Sequence, residues 1–244
     1  MALEFNFLGD LTVLRDGDAL ELPPSRKTRA LLAYLALNPR AFNREHLCEL
    51  LWEVPDDPRG SLRWSLSKLR RLVDDAARRR LVADRLSVRL DATDVAVDVA
   101  ALKALAESGL AAASVETLED ASARYRGNFL EGLDLSSFHQ FHAWCIAERE
   151  HASRAQTAVL NALVTRLSAD PPRALVHAHA LVALAPYDEA ARAALIRLLV
   201  ALGRAEEAAR QYELGTRMLR EMGTQPTGRL YRALHGVPGA ASAT

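Results

Sequence analysis

The hydrophobic pattern of this chain changes its period near residue 94. Up to residue 22, apolar and polar residues alternate in short runs such as LEFNFLG (3–9) and LTVLRDG (11–17), which is typical of antiparallel strands. From about residue 95, apolar residues recur at the spacing of amphipathic helices. The length of 244 residues exceeds the usual size of one domain. We therefore predict a mostly α-helical protein with domains at 1–93 and 95–237 and a disordered tail at 238–244.

Three helices and a hairpin are predicted in the rest of the first domain. Ser25 and Asn43 are suited to cap the first two helices, because their side-chain oxygens can accept a backbone hydrogen bond. Two β-biased runs, Leu81–Ala83 and Leu86–Leu90, flank the dipeptide at 84–85 and predict a hairpin. This order of elements predicts an α+β winged helix-turn-helix. In that architecture the third helix enters the DNA major groove and the hairpin, or wing, touches the adjacent backbone.

The third predicted helix contains the segment RGSLRWSLSKLRR at 59–71. At about 100° per residue, Leu62, Leu66, Leu69 and Val73 fall on one stripe that must face a core. The opposite arc carries basic residues, a tryptophan and a serine, and no acidic residue. Such a face is costly unless an anionic partner lies against it, although helices with one basic face are often merely solvated.

Charge is distributed unevenly along a chain that is neutral overall. Residues 25–90 hold 15 Lys and Arg against 8 Asp and Glu, a net charge of +7. Residues 91–244 hold 15 against 18, a net charge of −3. The neutral total argues against a protein that coats nucleic acid generally, and the distribution predicts that any anionic partner binds the first domain.

The second domain is predicted to be an all-α helical repeat. Two segments that begin at Arg173 and Glu206 share alternating small and large apolar residues in paired helices. Their offset of about 34 residues is the period of tetratricopeptide (TPR) repeats, which stack into a curved array. Such TPR-like arrays normally bind proteins or peptides.

Segments along nearly the whole chain, residues 3–235, resemble one known family. PPSRKTRALLAYLAL, REHLCELLW and SLRWSLSKLRRLV resemble the OmpR-type winged helix of the antibiotic-regulatory (SARP-type) transcriptional activators. VDVAALKAL, YRGNFLEGL, FHAWCIAERE and LGRAEEAARQYE resemble their bacterial transcriptional activation domain. These segments occur in the order that the family has.

The resemblance implies a transcriptional activator that binds repeated promoter sites and helps to engage RNA polymerase. Its partners would be double-stranded DNA and RNA polymerase, and the resemblance allows a homodimer on DNA. The implied base-reading residues are Arg63, Trp64, Ser67, Lys68 and Arg71. The implied phosphate-binding residues are Ser25, Lys27, Arg59 and Arg85.

Neither a cofactor, a metal site nor an enzymatic activity is expected. The sequence contains no GxxxxGK[ST] phosphate loop and no GxSxG nucleophile motif. His139, His142 and His151 make a weak metal candidate, because zinc sites need three or four converging ligands. Without a signal-peptide pattern or about 18 consecutive uncharged apolar residues, the chain is expected in the cytoplasm, away from membranes.

Three alternatives stay open from the residues alone. The chain is a TPR-like interaction adaptor whose winged helix is a structural appendage, the N-terminal regulatory module of a larger signalling protein, or a metal enzyme that uses the three histidines. Trp64 also has a second interpretation, because a partly buried tryptophan more often packs against a domain edge than contacts a ligand.

Overall fold

The structure is a computed structural model that describes residues 2–52, 57–133, 135–225 and 227–236. The tail predicted at 238–244 lies outside the described residues. The chain falls into two compact units: the part up to Ala104 with Ala123–Ala152, and Leu105–Ser122 with the part from Ser153 onward. These units divide the chain differently from the single boundary that the sequence predicts near residue 94. That boundary stays a prediction about which fragments of the chain fold alone.

Two small sheets lie in the first unit. The strands in the described residues are β1 (Leu3–Asn6), β2 (Thr12–Arg15), β3 (Asp18–Ala19), β4 (Phe42–Asn43), β5 (Leu81–Ala83), β6 (Ser87–Leu90) and β7 (Val95–Val97). The predicted meander is present in the first sheet, where β2 pairs antiparallel with β1 and β3, while the last strand, β7, pairs in parallel with β1. The second sheet has the order β4-β6-β5 and contains the predicted hairpin.

Three helices of the first unit begin at side-chain caps. Helix α1 (Arg26–Leu37) begins after Ser25, whose hydroxyl accepts a hydrogen bond from the Thr28 amide, and α2 (Arg44–Leu51) begins after Asn43, which caps the Glu45 amide. Helix α3 (Pro58–Val73) begins after Asp57, which accepts from the Gly60 amide at 2.8 Å. These caps satisfy amides that have no partner inside a helix.

The apolar stripe of α3 is buried, as predicted. Leu62, Leu66, Leu69 and Val73 are each at most 1% exposed, so this stripe fixes which face of α3 points outward. Both the helix and its buried face follow from the sequence pattern.

The segment after β7 also belongs to the first unit. Helix α4 (Asp98–Glu107) begins with an aspartate that is only 4% exposed, and its carboxylate accepts hydrogen bonds from the amides of Phe7 and Leu8 at 2.8 and 2.9 Å. Burial raises the pKa of this Asp98 carboxyl. Trp144 packs on Tyr34 with ring centroids 5.0 Å apart. The first unit therefore takes in residues that the periodicity places in the second domain, including the strand β7.

The second unit is built from helices. The remaining helices of the described residues are α5 (Val115–Ala123), α6 (His139–Arg166), whose first half lies in the first unit, α7 (Pro171–Leu184), α8 (Glu189–Ala201), α9 (Ala205–Glu221) and α10 (Arg229–His235), with a 3-10 turn at Leu110–Ala112. Helices α7 and α9 begin 34 residues apart, and α8 packs against α7, α9 and α10. No helix within the described ranges is both long enough and apolar enough to cross a membrane.

A buried arginine ties three elements of the second unit together. Arg192 on α8 is 3% exposed and donates to Gln211 Oε1 at 2.7 Å and to the Pro186 carbonyl at 2.9 Å, with Met218 Sδ at 3.5 Å. Gly215 on α9 lies directly against its side chain, where a Cβ would overlap Arg192 Cδ. Burial lowers the pKa of this guanidinium.

Candidate nucleic-acid interface

The outer face of α3 carries the five predicted base-reading residues. Arg63, Ser67 and Arg71 are exposed, and Trp64 is 47% exposed. Lys68 is half-buried, and its ammonium lies 5.2 Å from the centre of the Trp64 ring, within the range of a cation–π contact. The face is therefore basic and accessible, with one large aromatic ring on it.

A cleft of about 770 Å³ lies where this face meets the hairpin. The first turns of α3, the start of α2 and the hairpin turn line it. It brings together three predicted residues, Arg59, Arg63 and Arg85, and adds a fourth guanidinium from Arg44. Four arginines around one concave surface make a strongly attractive site for phosphate groups.

Two acidic side chains in this cleft have local partners. Glu45 accepts a hydrogen bond from Arg59 at 3.0 Å, and both side chains are at least two-thirds exposed. Exposed ion pairs contribute little, so a phosphate can replace Glu45 at small cost. Asp84 accepts from the amides of Leu86 and Ser87 at 2.7 Å each, and these hydrogen bonds lower the pKa of its carboxyl. Asp84 thus shapes the hairpin turn that presents Arg85.

Sequence reasoning missed Arg44. Its amide donates to the Leu86 carbonyl at 2.9 Å and its Nε to the Asp84 carbonyl at 2.7 Å, so it joins the start of α2 to the hairpin turn. A signal was available, because Arg44 directly follows the predicted cap Asn43, and helix starts attract anions.

The other predicted residues lie outside this cleft. Ser25 and Trp64 line a second cleft of about 410 Å³ between the starts of α1 and α3. The Lys27 ammonium lies 4.5 Å from the centre of the Phe138 ring, and Lys27 lines neither cleft. The predicted phosphate-binding residues therefore lie at more than one place in the structure.

Two arginines hold the C-terminal end of α3. Arg15 on β2 donates to the Leu72 carbonyl at 2.7 Å, and Arg80 donates to the Val73 carbonyl at 2.8 Å. Arg80 is 2% exposed and pairs with Asp75 and Asp94, each at 2.7 Å. These pairs raise the pKa of Arg80 and, through the Arg80 hydrogen bond above all, hold the pKa of Asp75 at about 2. The end of α3 is thereby fixed to both sheets.

Within the described ranges, no group of three or more His, Cys, Asp or Glu residues is arranged to hold a metal ion. His139, His142 and His151 all lie on α6.

Comparison with known proteins decides the family. Residues 90–237, more than half of the chain, match the model of the bacterial transcriptional activator domain. The chain belongs to this family. No curated protein matches it. Among solved structures, Mycobacterium tuberculosis EmbR in complex with a low affinity phosphopeptide matches with a TM-score of 0.69 and 26% identity, over 95% of this chain and 64% of the EmbR chain.

Membership of the bacterial transcriptional activator domain family confirms the predicted class of protein. The resemblance to the SARP-type transcriptional activators is thereby confirmed, and the proteins of this family are regulators rather than enzymes. Its fold is EmbR-like, mostly helical with some strands. The chain spans less than two thirds of the EmbR chain.

Proposed function

We propose that this activator binds specific DNA sequences through its first unit, which acts as a winged helix. The observation that carries the proposal is the cleft in which Arg44, Arg59, Arg63 and Arg85 meet beside the exposed face of α3. In this assignment α3 lies in the major groove and the turn between β5 and β6 lies on the adjacent backbone. The function places the protein in the cytoplasm with the DNA.

The residues divide into two roles. Arg63 reads a base, because a guanidinium on the groove-facing side can donate two hydrogen bonds to guanine O6 and N7. Trp64, Ser67, Lys68 and Arg71 extend this reading face. Phosphates are bound by Ser25, Lys27, Arg59 and Arg85, and we add Arg44 to this set because it lines the same cleft as Arg59 and Arg85.

The helical second unit supplies the protein contacts. We propose that its TPR-like helix pairs contact RNA polymerase, in keeping with membership of an activator family. One winged helix reads only a short half-site, so two copies bind repeated promoter sites about one helical turn apart. The alternatives are a TPR-like adaptor that does not bind DNA and a regulatory module of a larger protein.

The proposal is tested by selecting duplexes from a random pool with the wild-type chain. Binding of the selected duplex and of a scrambled duplex is then measured by fluorescence anisotropy at several salt concentrations. Arg63→Ala should reduce the preference for the selected duplex by about ten-fold or more, because one bidentate pair is lost. Arg85→Ala should weaken binding to both duplexes alike and reduce the slope of log affinity against log salt by about one unit.

Arg217→Ala serves as the matched control, because Arg217 is an exposed arginine in the second unit. It should change neither the preference nor the salt slope. Failure of the wild-type chain to enrich any duplex would favour the adaptor alternative. Equal loss of preference in Arg63→Ala and Arg85→Ala would show that the two roles are misassigned.

A further inference from the structure

The contact between Arg15 and the end of α3 is unlike the other contacts of that helix. Arg15 lies on β2, in the sheet formed by the start of the chain, and is half-buried. Its Nη2 donates to the Leu72 carbonyl at 2.7 Å and to the Asp74 carbonyl at 3.4 Å. The sheet thus reaches the helix terminus through a side chain that is in neither cleft.

This contact suits the chemistry of a helix C-terminus. The last carbonyl groups of a helix have no amide partner inside it, and their dipoles favour a positive charge. Arg80 also donates to this terminus, but its charge is balanced by Asp75 and Asp94. Both hydrogen bonds of Arg15 run to backbone carbonyl oxygens. Replacing Arg15 therefore leaves no buried carboxylate behind, whereas replacing Arg80 leaves the buried Asp75 without its cation.

The leucine stripe and the Arg15 contact restrain different motions. The stripe fixes the rotation of α3 about its own axis, because it decides which side chains face the core. Contacts at one end restrain the tilt, and Arg15 ties this end to the sheet that contains β2, whereas Arg80 ties it to the hairpin. Arg63 lies nine residues before Leu72, about 13 Å along the helix axis, so a tilt of about 10° displaces it by about 2 Å. Such a displacement exceeds what a hydrogen bond to a base edge tolerates.

We propose that Arg15 is a positioning residue that sets the tilt of α3 and thereby its discrimination between DNA sequences. The inference rests on the proposed function, since it concerns the same helix face. Arg15 itself contacts no DNA in this assignment. Its loss should therefore reduce the preference among sequences and leave the general affinity for DNA nearly unchanged.

The test uses the full chain and compares Arg15→Met with Arg15→Lys. The probes are the duplex that the wild-type chain selects from a random pool and a scrambled version of it. Arg15→Met keeps the length of the side chain and removes its charge and donors. It should reduce the affinity ratio of the two duplexes about ten-fold, with less than a two-fold change on the scrambled duplex. Arg15→Lys keeps a cation and should restore the ratio to within about three-fold of wild type.

Arg149→Met is the matched control. Arg149 is a half-buried arginine of the same unit whose Nε donates to a backbone carbonyl, that of Phe129, at 3.0 Å. It should leave the ratio within two-fold of wild type. Arg15→Gln replaces Arg15→Met if the latter does not unfold cooperatively on heating. The glutamine side chain is too short to reach the Leu72 carbonyl, so the same loss of the affinity ratio is expected.

Two failures are distinguishable. An unchanged ratio in a folded Arg15→Met protein overturns the role of Arg15 and leaves DNA binding in place. A wild-type chain that enriches no duplex overturns the proposed function and this role with it. An equal loss of affinity on both duplexes also overturns the role, because it would make Arg15 a phosphate contact.

Discussion

Each of the two units contains a buried arginine, and the two arginines have opposite kinds of partners. Arg80 in the first unit is 2% exposed and pairs with two carboxylates, Asp75 and Asp94. Arg192 in the second unit is 3% exposed and donates to an amide oxygen and a backbone carbonyl. Ion pairing raises the pKa of Arg80, whereas burial lowers the pKa of Arg192.

The two buried arginines hold different kinds of elements together. Arg80 joins the end of α3 to the base of the hairpin, and its two carboxylates come from segments on either side of that hairpin. Removing one member of such a group leaves charge buried without compensation. Arg192 mainly fills space among α8, α9 and the turn before α8. Its charge therefore contributes little to these packing contacts. The stability of the first unit should therefore depend on the charge of Arg80, and the stability of the second unit on the shape of the Arg192 side chain.

The largest effect is expected from Arg80→Met. It leaves the buried Asp75 without its cation, whereas Asp94 keeps Arg78 at 3.3 Å, and it should reduce the free energy of unfolding of the first unit by about 3 kcal/mol. The same substitution at Arg192 leaves no buried carboxylate and should cost the second unit about 1–2 kcal/mol. All three tryptophans, Trp52, Trp64 and Trp144, lie in the first unit, so tryptophan fluorescence in a urea titration reports its unfolding selectively. Circular dichroism in urea reports the loss in Arg192→Met, and equal losses of unfolding free energy in the two variants would remove the distinction.

A smaller effect is expected from Gly215→Ala. The added Cβ overlaps Arg192 Cδ, and overpacking of this kind costs about 1–3 kcal/mol. In an Arg192→Ala background the same substitution should cost at least about 1 kcal/mol less, because the overlapping atoms are gone. Circular dichroism in urea measures the cycle. Additive effects of the two substitutions would contradict the close packing of the pair.

The smallest effect concerns pH. The pKa of Asp75 in the folded protein, about 2, lies below its ordinary value near 3.9, so its contribution to stability is full above about pH 4 and is lost as the pH falls towards 2. The urea concentration at the midpoint of the fluorescence transition should therefore decrease as the pH is lowered from 4 to 2. Hydrogen bonds from Thr93 and Arg78 hold the pKa of Asp91 in the same unit at about 2 as well, so Arg80→Met should reduce this dependence without abolishing it. Arg192→Met should leave it unchanged. A dependence as steep in Arg80→Met as in the wild type would assign the acid sensitivity to carboxylates other than Asp75.

Local features of the fold were predictable from the sequence, and contacts between distant segments were not. The caps Ser25 and Asn43 and the buried stripe of α3 depend on neighbouring residues, so spacing and residue type were sufficient. The strand Val95–Val97 was missed because three apolar-rich residues before a helix show no period, and their pairing with β1 is visible only in three dimensions.

The same limit applies to the candidate interface. Arg59, Arg63 and Arg85 were identified from charge and predicted elements, and they share one cleft. The contact of Lys27 with Phe138 joins residues more than a hundred positions apart, and no periodic pattern indicates it. Arg15 escaped notice for the same reason, because its acceptor lies 57 residues further along the chain.

The position of Asp98 in the chain also determines when the start of the chain can complete its hydrogen bonds during translation. The acceptor of the Phe7 and Leu8 amides lies 91 and 90 residues downstream, and β7 is about equally far from its partner β1. At about 5–20 residues per second, the ribosome needs roughly 5–20 s to supply that partner. During this interval one side of β1 is an open strand edge, a target for chaperones and for pairing with other nascent chains. Translation speed over the codons for residues 8–98 is therefore expected to influence the yield of folded protein.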